Sequence, residues 1–235
     1  AEHFKEPRTV LFPYDIRAAN KFYYPERLHA HGWIAFLQTG LTLGPKGAAF
    51  TQWALEELTA WGKMTYRKQD NVFIPMLTDG TTLAGYVIKK DNVLGPEGTV
   101  VQPYPADLSF FWAYSLAYRA TGDEFMWAMA RNIALGHGFS DIGEDPENVR
   151  GLGVKTSWSD AYGLLGFLEL HAKTNNPEFL RVAERIGDNI LETRFHKGYF
   201  VPSERHTFAR FDCLEPLALL HLVAAIKPES EEVPR

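Results

Sequence analysis

Apolar residues recur at helical spacing along most of this chain. Pro25, a residue favoured in the first turn of a helix, opens a periodic run that reaches Gly40, so the pattern predicts a helix over residues 25–40. A second periodic run predicts a helix over residues 49–67. Together the two runs predict an antiparallel pair of helices at the start of the chain.

Beyond residue 71 the helical period gives way to short extended runs. The segments VFIPML and LAGYVI flank residues 78–81, whose Asp79-Gly80 step is typical of a hairpin turn. This part is therefore expected to form a small β-hairpin. Residues 89–106 contain glycine and proline at five positions and are predicted to be a loop.

From Asp107 onward the pattern repeats. A helix, a short turn and a second helix are predicted over residues 107–136, and the same arrangement returns over 160–191, offset by 53 or 54 positions. The aligned pairs are Thr121 with Thr174, Glu124 with Glu178, Phe125 with Phe179, Ala130 with Ala183, and Ile133 with Ile186. A last predicted helix, 212–226, corresponds to the first half of a further unit.

The predicted fold class is all-α, built from repeated αα-hairpins that form an (α/α) toroid, or barrel, or part of one. Long loops between hairpins favour a toroid over an open solenoid, because such loops gather at one end and build a cleft. Residues 1–235 are expected to form a single domain of this kind. A ring of six or seven hairpins needs more helices than this chain predicts, so the chain is interpreted as part of a larger ring.

Composition and charge argue against two classes of partner. A net charge of −5 argues against a general nucleic-acid binder, and no apolar run is long enough to span a bilayer, so neither nucleic acid nor a membrane is expected as a partner. The single cysteine, Cys213, lies among apolar residues and is expected to act as a small buried hydrophobic side chain. Walker, GxGxxG, CxxC, HExxH and GxSxG motifs are all absent from the sequence.

Two segments combine cations with aromatic rings, the groups that hold an acidic sugar polymer. They are residues 14–33 and residues 194–212. Arginine pairs bidentately with carboxylates, and aromatic rings cover the apolar faces of pyranoses. The alternative for the first segment is a packed loop whose aromatic rings fill the edge of the core, and for the second a solvated loop. The predicted substrate-binding residues are Arg17, Tyr24, Arg27, His29, His31, Trp33, Arg205, His206 and Arg210.

The histidines and aspartates have competing interpretations. On a strand, His29 and His31 would share a face and could chelate one metal ion, but on the predicted helix they lie about 200° apart. On a helix, either one of them faces a cleft, where it binds substrate or moves a proton, or both are polar caps or partly packed rings. Asp107, Asp160 and Asp212 each precede a predicted helix and are expected to be N-caps.

Several longer strings point to a specific family. The segments LFPYDIRAANKFYYPE, LHAHGWIAFLQ, TGDEFMWAMARNIALG, RFHKGYFV and ARFDCLEPLALLHL resemble the C-terminal half of family 2 pectate lyases. These bacterial α/α-barrel enzymes cleave polygalacturonate by β-elimination, in the periplasm or the cytoplasm. The resemblance therefore implies galacturonan as the partner. It also implies that this chain is either the back half of such an enzyme, with the N-terminal half as a further partner, or a chain that has lost its metal site.

The resemblance also implies a divalent metal, commonly manganese, held by two histidines and a glutamate, with an arginine as the base. Those ligands belong upstream of the part that this chain resembles, so the catalytic residues and the metal ligands remain unassigned. Arg205-His206 is the one Arg-His dipeptide in the sequence, but its surroundings differ from the family's base motif and no role is transferred to it.

The chemistry of β-elimination suits a basic, aromatic cleft. The uronate carboxylate must be neutralised by a metal or by Arg and Lys while a base removes the adjacent proton. Three alternatives remain at this point: a metal-free sugar epimerase or isomerase that uses histidines, a uronide-active glycoside hydrolase that uses a carboxylate such as Asp15, Asp160 or Asp212, and a non-enzymatic carbohydrate-binding protein.

Overall fold

A computed structural model describes residues 22–23, 30–77, 82–91, 96–152, 156–202, 209 and 212–227. Its helices are α1 (Ala30–Leu43), α2 (Ala48–Ala60), α3 (Leu108–Thr121), α4 (Glu124–Gly136), α5 (Ala161–Thr174), α6 (Pro177–Arg194) and α7 (Glu215–Ile226). Its strands have two residues each: β1 (Phe22–Tyr23), β2 (Tyr66–Arg67), β3 (Val72–Phe73), β4 (Met76–Leu77), β5 (Tyr104–Pro105), β6 (Phe195–His196) and β7 (Tyr199–Phe200). The fold class is all-α, as predicted.

The helices form antiparallel pairs that stack side by side. A 3₁₀ turn at Gly44–Gly47 joins α1 to α2, and two-residue turns join α3 to α4 and α5 to α6. Helix α3 packs against both α1 and α5, and α5 packs in turn against α7, so the odd-numbered helices form one row. Because each pair is antiparallel, the N-terminal ends of this row lie at the same end, where the long connecting loops also lie. Closure of the row into a ring stays a prediction.

The two later hairpins share one turn chemistry. The hydroxyls of Thr121 and Thr174 each donate to the carbonyl oxygen four residues back, over 2.8 Å in both cases. The next residue, Gly122 or Asn175, adopts the left-handed conformation, with φ of 75° and 53°. Asp123 and Asn176 then cap α4 and α6. The predicted repeat is therefore confirmed at the level of individual hydrogen bonds.

The equivalence between the hairpins is a constant 53 residues. Ala130 and Ala183 are both fully buried, as are Ile133 and Ile186, which confirms those two pairs. The pairs at an offset of 54, Glu124 with Glu178 and Phe125 with Phe179, are one residue out of register. Since the caps lie at 123 and 176, the buried Phe179 corresponds to the buried Met126.

The predicted helix boundaries at Gly40 and Asp212 are wrong. Helix α1 continues through Gly40, whose missing side chain leaves room for Thr51: a Cβ atom there would lie 2.0 Å from the Thr51 hydroxyl oxygen. Helix α7 begins at Glu215 with Leu214 at its N-cap position, so Asp212 is not an N-cap. The predicted start near Pro25 lies outside the described residues. The N-caps at Asp107 and Asp160 are confirmed.

The extended segments form small antiparallel pairs. Strand β3 lies between β2 and β5, while β1 pairs with β4 and β6 pairs with β7. A bridge between Met76 and Thr82 is consistent with the predicted hairpin, whose turn at residues 78–81 lies outside the described residues. The predicted loop 89–106 contributes β5 as well as irregular chain. Helix α2 ends in a π-helical turn at Trp61–Thr65 instead of continuing to residue 67.

The core centres on α3. Eleven consecutive residues of this helix, 108–118, are buried, because α1, α4 and α5 cover it on different sides. Phe111 packs against Phe167 of α5, with 4.9 Å between ring centroids, directly over Gly166. The tightly packed α3–α5 contact fixes the relative position of the ends of these helices, where the site described next is found.

Candidate functional site

An open cavity of about 250 Å³ lies where α5 begins, α6 ends and α7 begins. This is the end of the helix row that carries the long loops. Its lining residues are Ser159, Asp160, Ala161, Tyr162, Arg194, Val201, Pro202, Asp212, Cys213, Leu214 and Glu215. The cavity therefore brings three carboxylates, one arginine and one phenol together from three elements of the fold.

Asp160 caps helix α5 and also lines the cavity. Its Oδ1 atom accepts hydrogen bonds from the backbone N–H groups of Tyr162 at 2.8 Å and Gly163 at 3.2 Å, which caps α5. Burial raises the pKa of the Asp160 carboxyl, and the negative charges of Asp107 and Glu215 raise it further, against the lowering effect of the two backbone hydrogen bonds. Asp160 consequently holds a proton more readily than an ordinary aspartate.

Arg194 is the last residue of α6 and is half-buried. Its carbonyl oxygen accepts a 2.8 Å hydrogen bond from the Val201 backbone N–H, which ties the end of the helix to the chain leaving the β6–β7 hairpin. No hydrogen bond or ion pair joins its guanidinium to any residue in the described ranges. A half-buried guanidinium of this kind is suited to an anionic ligand, since a bound carboxylate would replace lost hydration with two parallel hydrogen bonds.

The hydroxyl of Tyr162 is hydrogen-bonded across the row of helices. The Nε2 atom of His31, in the first turn of α1, lies 2.7 Å from the Tyr162 hydroxyl oxygen, and their ring centroids are 5.3 Å apart. The ring of Trp112, from α3, lies 6.0 Å from the Tyr162 ring. Side chains from α1 and α3 thus contact the phenol of Tyr162, a residue that lines the cavity, and His31 itself is exposed.

An exposed indole lies next to the cavity in the chain. Trp158 is 37% exposed, and its Nε1–H donates a 2.8 Å hydrogen bond to the carbonyl oxygen of His137. The Asn189 amide donates to the carbonyl oxygens of Thr156 and Trp158, at 2.9 and 2.8 Å, which fixes the backbone around the indole. Trp158 is therefore a rigid aromatic surface beside Ser159 and Asp160, of the kind that covers a sugar ring.

Only two of the predicted substrate-binding residues lie in the described part of the chain. His31 is at the site, on the Tyr162 hydroxyl. Trp33 is 4% exposed and packs against Trp61 with 6.4 Å between ring centroids, so its ring belongs to the core. The other seven predictions fall outside the described residues: Arg17, Tyr24, Arg27, His29, Arg205, His206 and Arg210.

The sequence analysis did not single out Tyr162 or Trp158, and it included Arg194 only as part of the candidate segment 194–212. Arg194 lies at the end of a helix, where a cation also interacts favourably with the helix dipole. This structural explanation was sufficient by itself, so the sequence did not indicate that Arg194 lines a cavity. Tyr162 and Trp158 carry no motif. Their positions on either side of the Asp160 cap were the available signal for a site. The N-terminal ends of the odd-numbered helices lie at the same end of the row as the long loops, so residues around such a cap lie close to those loops.

The described residues do not form a metal centre by themselves. Across the ranges that the structure describes, no three His, Cys, Asp or Glu side chains come together in a group able to hold a metal ion. Cys213 is half-buried at the cavity rather than fully buried. Within the same ranges, none of the helices has the length and apolar character needed to cross a membrane.

Comparison with known proteins identifies the family. The family described as periplasmic pectate lyase matches residues 19–235. A pectate disaccharide-lyase of Dickeya dadantii (strain 3937) is 25% identical over 187 residues, which make up 80% of this chain and 32% of the relative. The chain thus spans about a third of the length of that relative. Because the match with the family extends over nearly the whole sequence, this chain belongs to the periplasmic pectate lyase family.

Proposed function

We propose that this chain is part of a lyase that cleaves polygalacturonate by β-elimination, and that the cavity binds one galacturonate unit. The observation that carries the proposal is the half-buried guanidinium of Arg194 in a cavity whose lining also includes three carboxylates and a tyrosine. Family membership and the loop-end position of the cavity support it. The family's description also supports the periplasm as the compartment where the whole protein acts.

The size of the cavity suits a single sugar. Small-molecule sites usually enclose roughly 300–1,000 Å³, and the cavity of about 250 Å³ is slightly smaller. One pyranose with its carboxylate would occupy it, and the neighbouring units of the polymer would extend over the surface past Trp158. A longer oligosaccharide would contact the protein outside the cavity as well as within it.

Charge and hydrogen bonding select the ligand. One carboxylate per sugar matches the one arginine among the described lining residues, and Arg pairs with carboxylates in a bidentate manner. The carboxylates of Asp160 and Glu215 accept hydrogen bonds from sugar hydroxyls, which a polymer of galacturonate presents on every unit. A second carboxylate in the same cavity would meet the negative charges of Asp160, Asp212 and Glu215 and would be repelled.

Arg194 also has a role in the reaction as proposed. Removing the proton next to the uronate carboxylate builds negative charge on that carboxylate, and a bound guanidinium stabilises this charge more in the transition state than in the ground state. The divalent metal that the resemblance implies would supply the same neutralisation as a Lewis acid when bound. Manganese and its ligands stay predictions, and the base is assigned to no residue of this chain.

Hydrolysis of uronides is the second candidate function, and one observation favours it. Asp160 has a raised pKa and shares the cavity with Glu215, and a carboxyl group that keeps its proton is the general acid that a glycoside hydrolase requires. The two reactions differ in product. Elimination leaves an unsaturated uronate that absorbs in the ultraviolet, whereas hydrolysis leaves a saturated sugar.

Binding of trigalacturonate tests the proposed role of the cavity. We expect Arg194→Met to weaken binding at least tenfold in titration calorimetry, since an ion-paired hydrogen bond contributes about 1.5–3 kcal/mol. Arg185→Met is the matched control, because Arg185 lies on the same helix and is exposed. Equal affinities for the wild type and both variants would contradict the assignment of the cavity.

A further inference from the structure

We propose that Tyr162 donates the proton that the departing sugar oxygen takes up during elimination, and that His31 positions and reprotonates Tyr162. This inference rests on the proposed lyase function and adds a catalytic acid to it. It starts from a hydrogen bond between two side chains that are 131 residues apart in the chain, one of which, Tyr162, belongs to a residue that lines the cavity.

The geometry holds the phenol firmly. Tyr162 lies in the first turn of α5, where the Asp160 cap accepts its backbone N–H. Trp112 flanks its ring at 6.0 Å, and the His31 Nε2 atom is 2.7 Å from its hydroxyl. A phenol fixed at its backbone, its ring and its oxygen loses little conformational freedom when substrate binds, which is a requirement for efficient proton transfer.

The position of the phenol matches the expected position of the leaving group. Tyr162 lines the cavity together with Arg194, the proposed partner of the uronate carboxylate. The sugar oxygen that leaves, O4, is bonded to C4 of the pyranose ring, and C4 is bonded to C5, which carries the carboxylate. In the proposed complex, Tyr162 therefore contacts the same sugar whose carboxylate pairs with Arg194.

In the proposed elimination, two bonds of the substrate break and one double bond forms. A base removes the proton at C5, and the electron pair of that bond forms the C4–C5 double bond while the C4–O4 bond breaks. The electron pair of the broken bond stays on O4, which takes the phenolic proton of Tyr162. An alkoxide is a stronger base than a phenolate, whose acid has a pKa of about 10, so the transfer is downhill.

His31 restores the acid. As an imidazolium it passes its Nε2 proton to the Tyr162 phenolate over the existing hydrogen bond, and it takes another proton from solvent. Its exposure provides that access to water. His31 acts through Tyr162 and is a positioning residue, whereas Tyr162 touches the departing oxygen.

Two substrates separate acid catalysis from a structural role. One is trigalacturonate, whose leaving group is a sugar alkoxide, and the other is a galacturonide with 4-nitrophenol on O4, which leaves without a proton. We expect Tyr162→Phe to lower kcat on trigalacturonate by about 10²- to 10⁴-fold and to change the rate on the activated substrate by less than about fivefold. Tyr86→Phe, at an exposed tyrosine in another loop, is the control.

The His31 variants test positioning. We expect His31→Gln, whose amide can keep a hydrogen bond to the phenol, to retain more of kcat than His31→Phe, while KM for trigalacturonate changes little in both. Equal losses of kcat in the Gln and Phe variants would overturn the role of His31. Circular dichroism of each variant verifies that the fold is kept.

The outcomes separate the two proposals. A wild-type protein that cleaves trigalacturonate while Tyr162→Phe loses activity equally on both substrates, or on neither, overturns the acid role and leaves the lyase function standing. A wild-type protein that forms no unsaturated product from either substrate overturns the lyase function and, with it, the role of Tyr162.

Discussion

Arg119 on α3 and Glu169 on α5 form an ion pair with 2.5 Å between Nη1 and Oε2, and the two side chains are 25% and 10% exposed. The pair lies toward the C-terminal ends of these helices, while His31 and Tyr162 meet at the opposite ends of α1 and α5. One polar contact therefore joins α3 to α5, and the other joins α1 to α5 at the opposite end of the helix row.

Removing Arg119 is expected to destabilise the fold. Arg119→Met leaves the Glu169 carboxylate buried without its partner, and breaking a buried pair in this way costs about 3 kcal/mol. Urea unfolding followed by circular dichroism measures the change. Arg181→Met is the control, because Arg181 is 51% exposed and pairs with Glu178 on the surface, so its loss should cost less than about 1 kcal/mol.

Two glycines in helices are expected to respond to alanine in opposite directions. A Cβ atom at Gly166 would lie 2.5 Å from the Phe111 ring, which is itself fully buried, so Gly166→Ala should destabilise the protein by about 1–3 kcal/mol. Gly32 in α1 has no neighbouring atom within 4 Å of such a Cβ. Gly32→Ala should therefore stabilise the protein by up to about 1 kcal/mol.

Thermal or urea unfolding of the two glycine variants gives the comparison directly. An unaffected Gly166→Ala would contradict the close contact between α3 and α5, and a destabilised Gly32→Ala would contradict the open space beside Gly32.

The equivalent caps of α4 and α6 are expected to differ in strength. Asp123→Ala removes an N-cap and should cost about 1 kcal/mol. Asn176 also donates from Nδ2 to the Val149 carbonyl oxygen at 2.9 Å and is 8% exposed, so Asn176→Ala should cost about 2–3 kcal/mol. Asp188→Ala, at an exposed position in α6, should stay within about 0.5 kcal/mol. Equal costs at 123 and 176 would mean that the Val149 bond contributes nothing to stability.

The Arg131–Asp141 pair predicts a dependence of stability on pH. Hydrogen bonding to Arg131, at 2.6 and 2.7 Å, lowers the pKa of Asp141 to about 2 from its ordinary 3.8. A lowered pKa stabilises the folded state above pH 3.8, and this stabilisation is lost as pH falls through about 2. Because Asp141 is 47% exposed, we expect Asp141→Asn to cost only about 0.5–1 kcal/mol at neutral pH.

Chemical denaturation of the wild type and Asp141→Asn across this pH range measures the difference. The two stabilities should converge as the solution becomes more acidic, and salt at about 1 M should narrow the gap at neutral pH by screening. A gap that stays constant with pH would show that the pair does not lower the pKa of Asp141.

Helix periodicity was enough to predict most of the fold. Each hairpin carries its own apolar spacing, its turn residues and its caps within about 35 residues, so local pattern sufficed for α3 to α6. Gly40 was misread as a helix end because a glycine that ends a helix and one that admits a neighbouring chain look the same in sequence. Asp212 was misread as a cap because the actual start lies three residues later, at a Glu-Pro step.

The site was less predictable because its residues come from distant segments. His31 and Tyr162 meet only when α1 and α5 stack in the same row, and no local spacing encodes that approach. Trp33 was predicted to bind substrate, but its ring packs against Trp61 in the core. His31, two residues earlier, is exposed, and the sequence does not show which of the two faces the core. The charge of the described cavity is also more acidic than the basic cleft predicted from the two cationic segments.

Cleavage of polygalacturonate by β-elimination can be measured directly. The protein is incubated with polygalacturonate, with manganese, without it, and with a chelator, and the ultraviolet absorbance of the unsaturated uronate is followed. We expect a rise in absorbance that depends on the metal. Arg194→Met should slow this rise, and Arg185→Met should leave it unchanged. A flat trace under all three conditions would contradict cleavage of polygalacturonate by this chain.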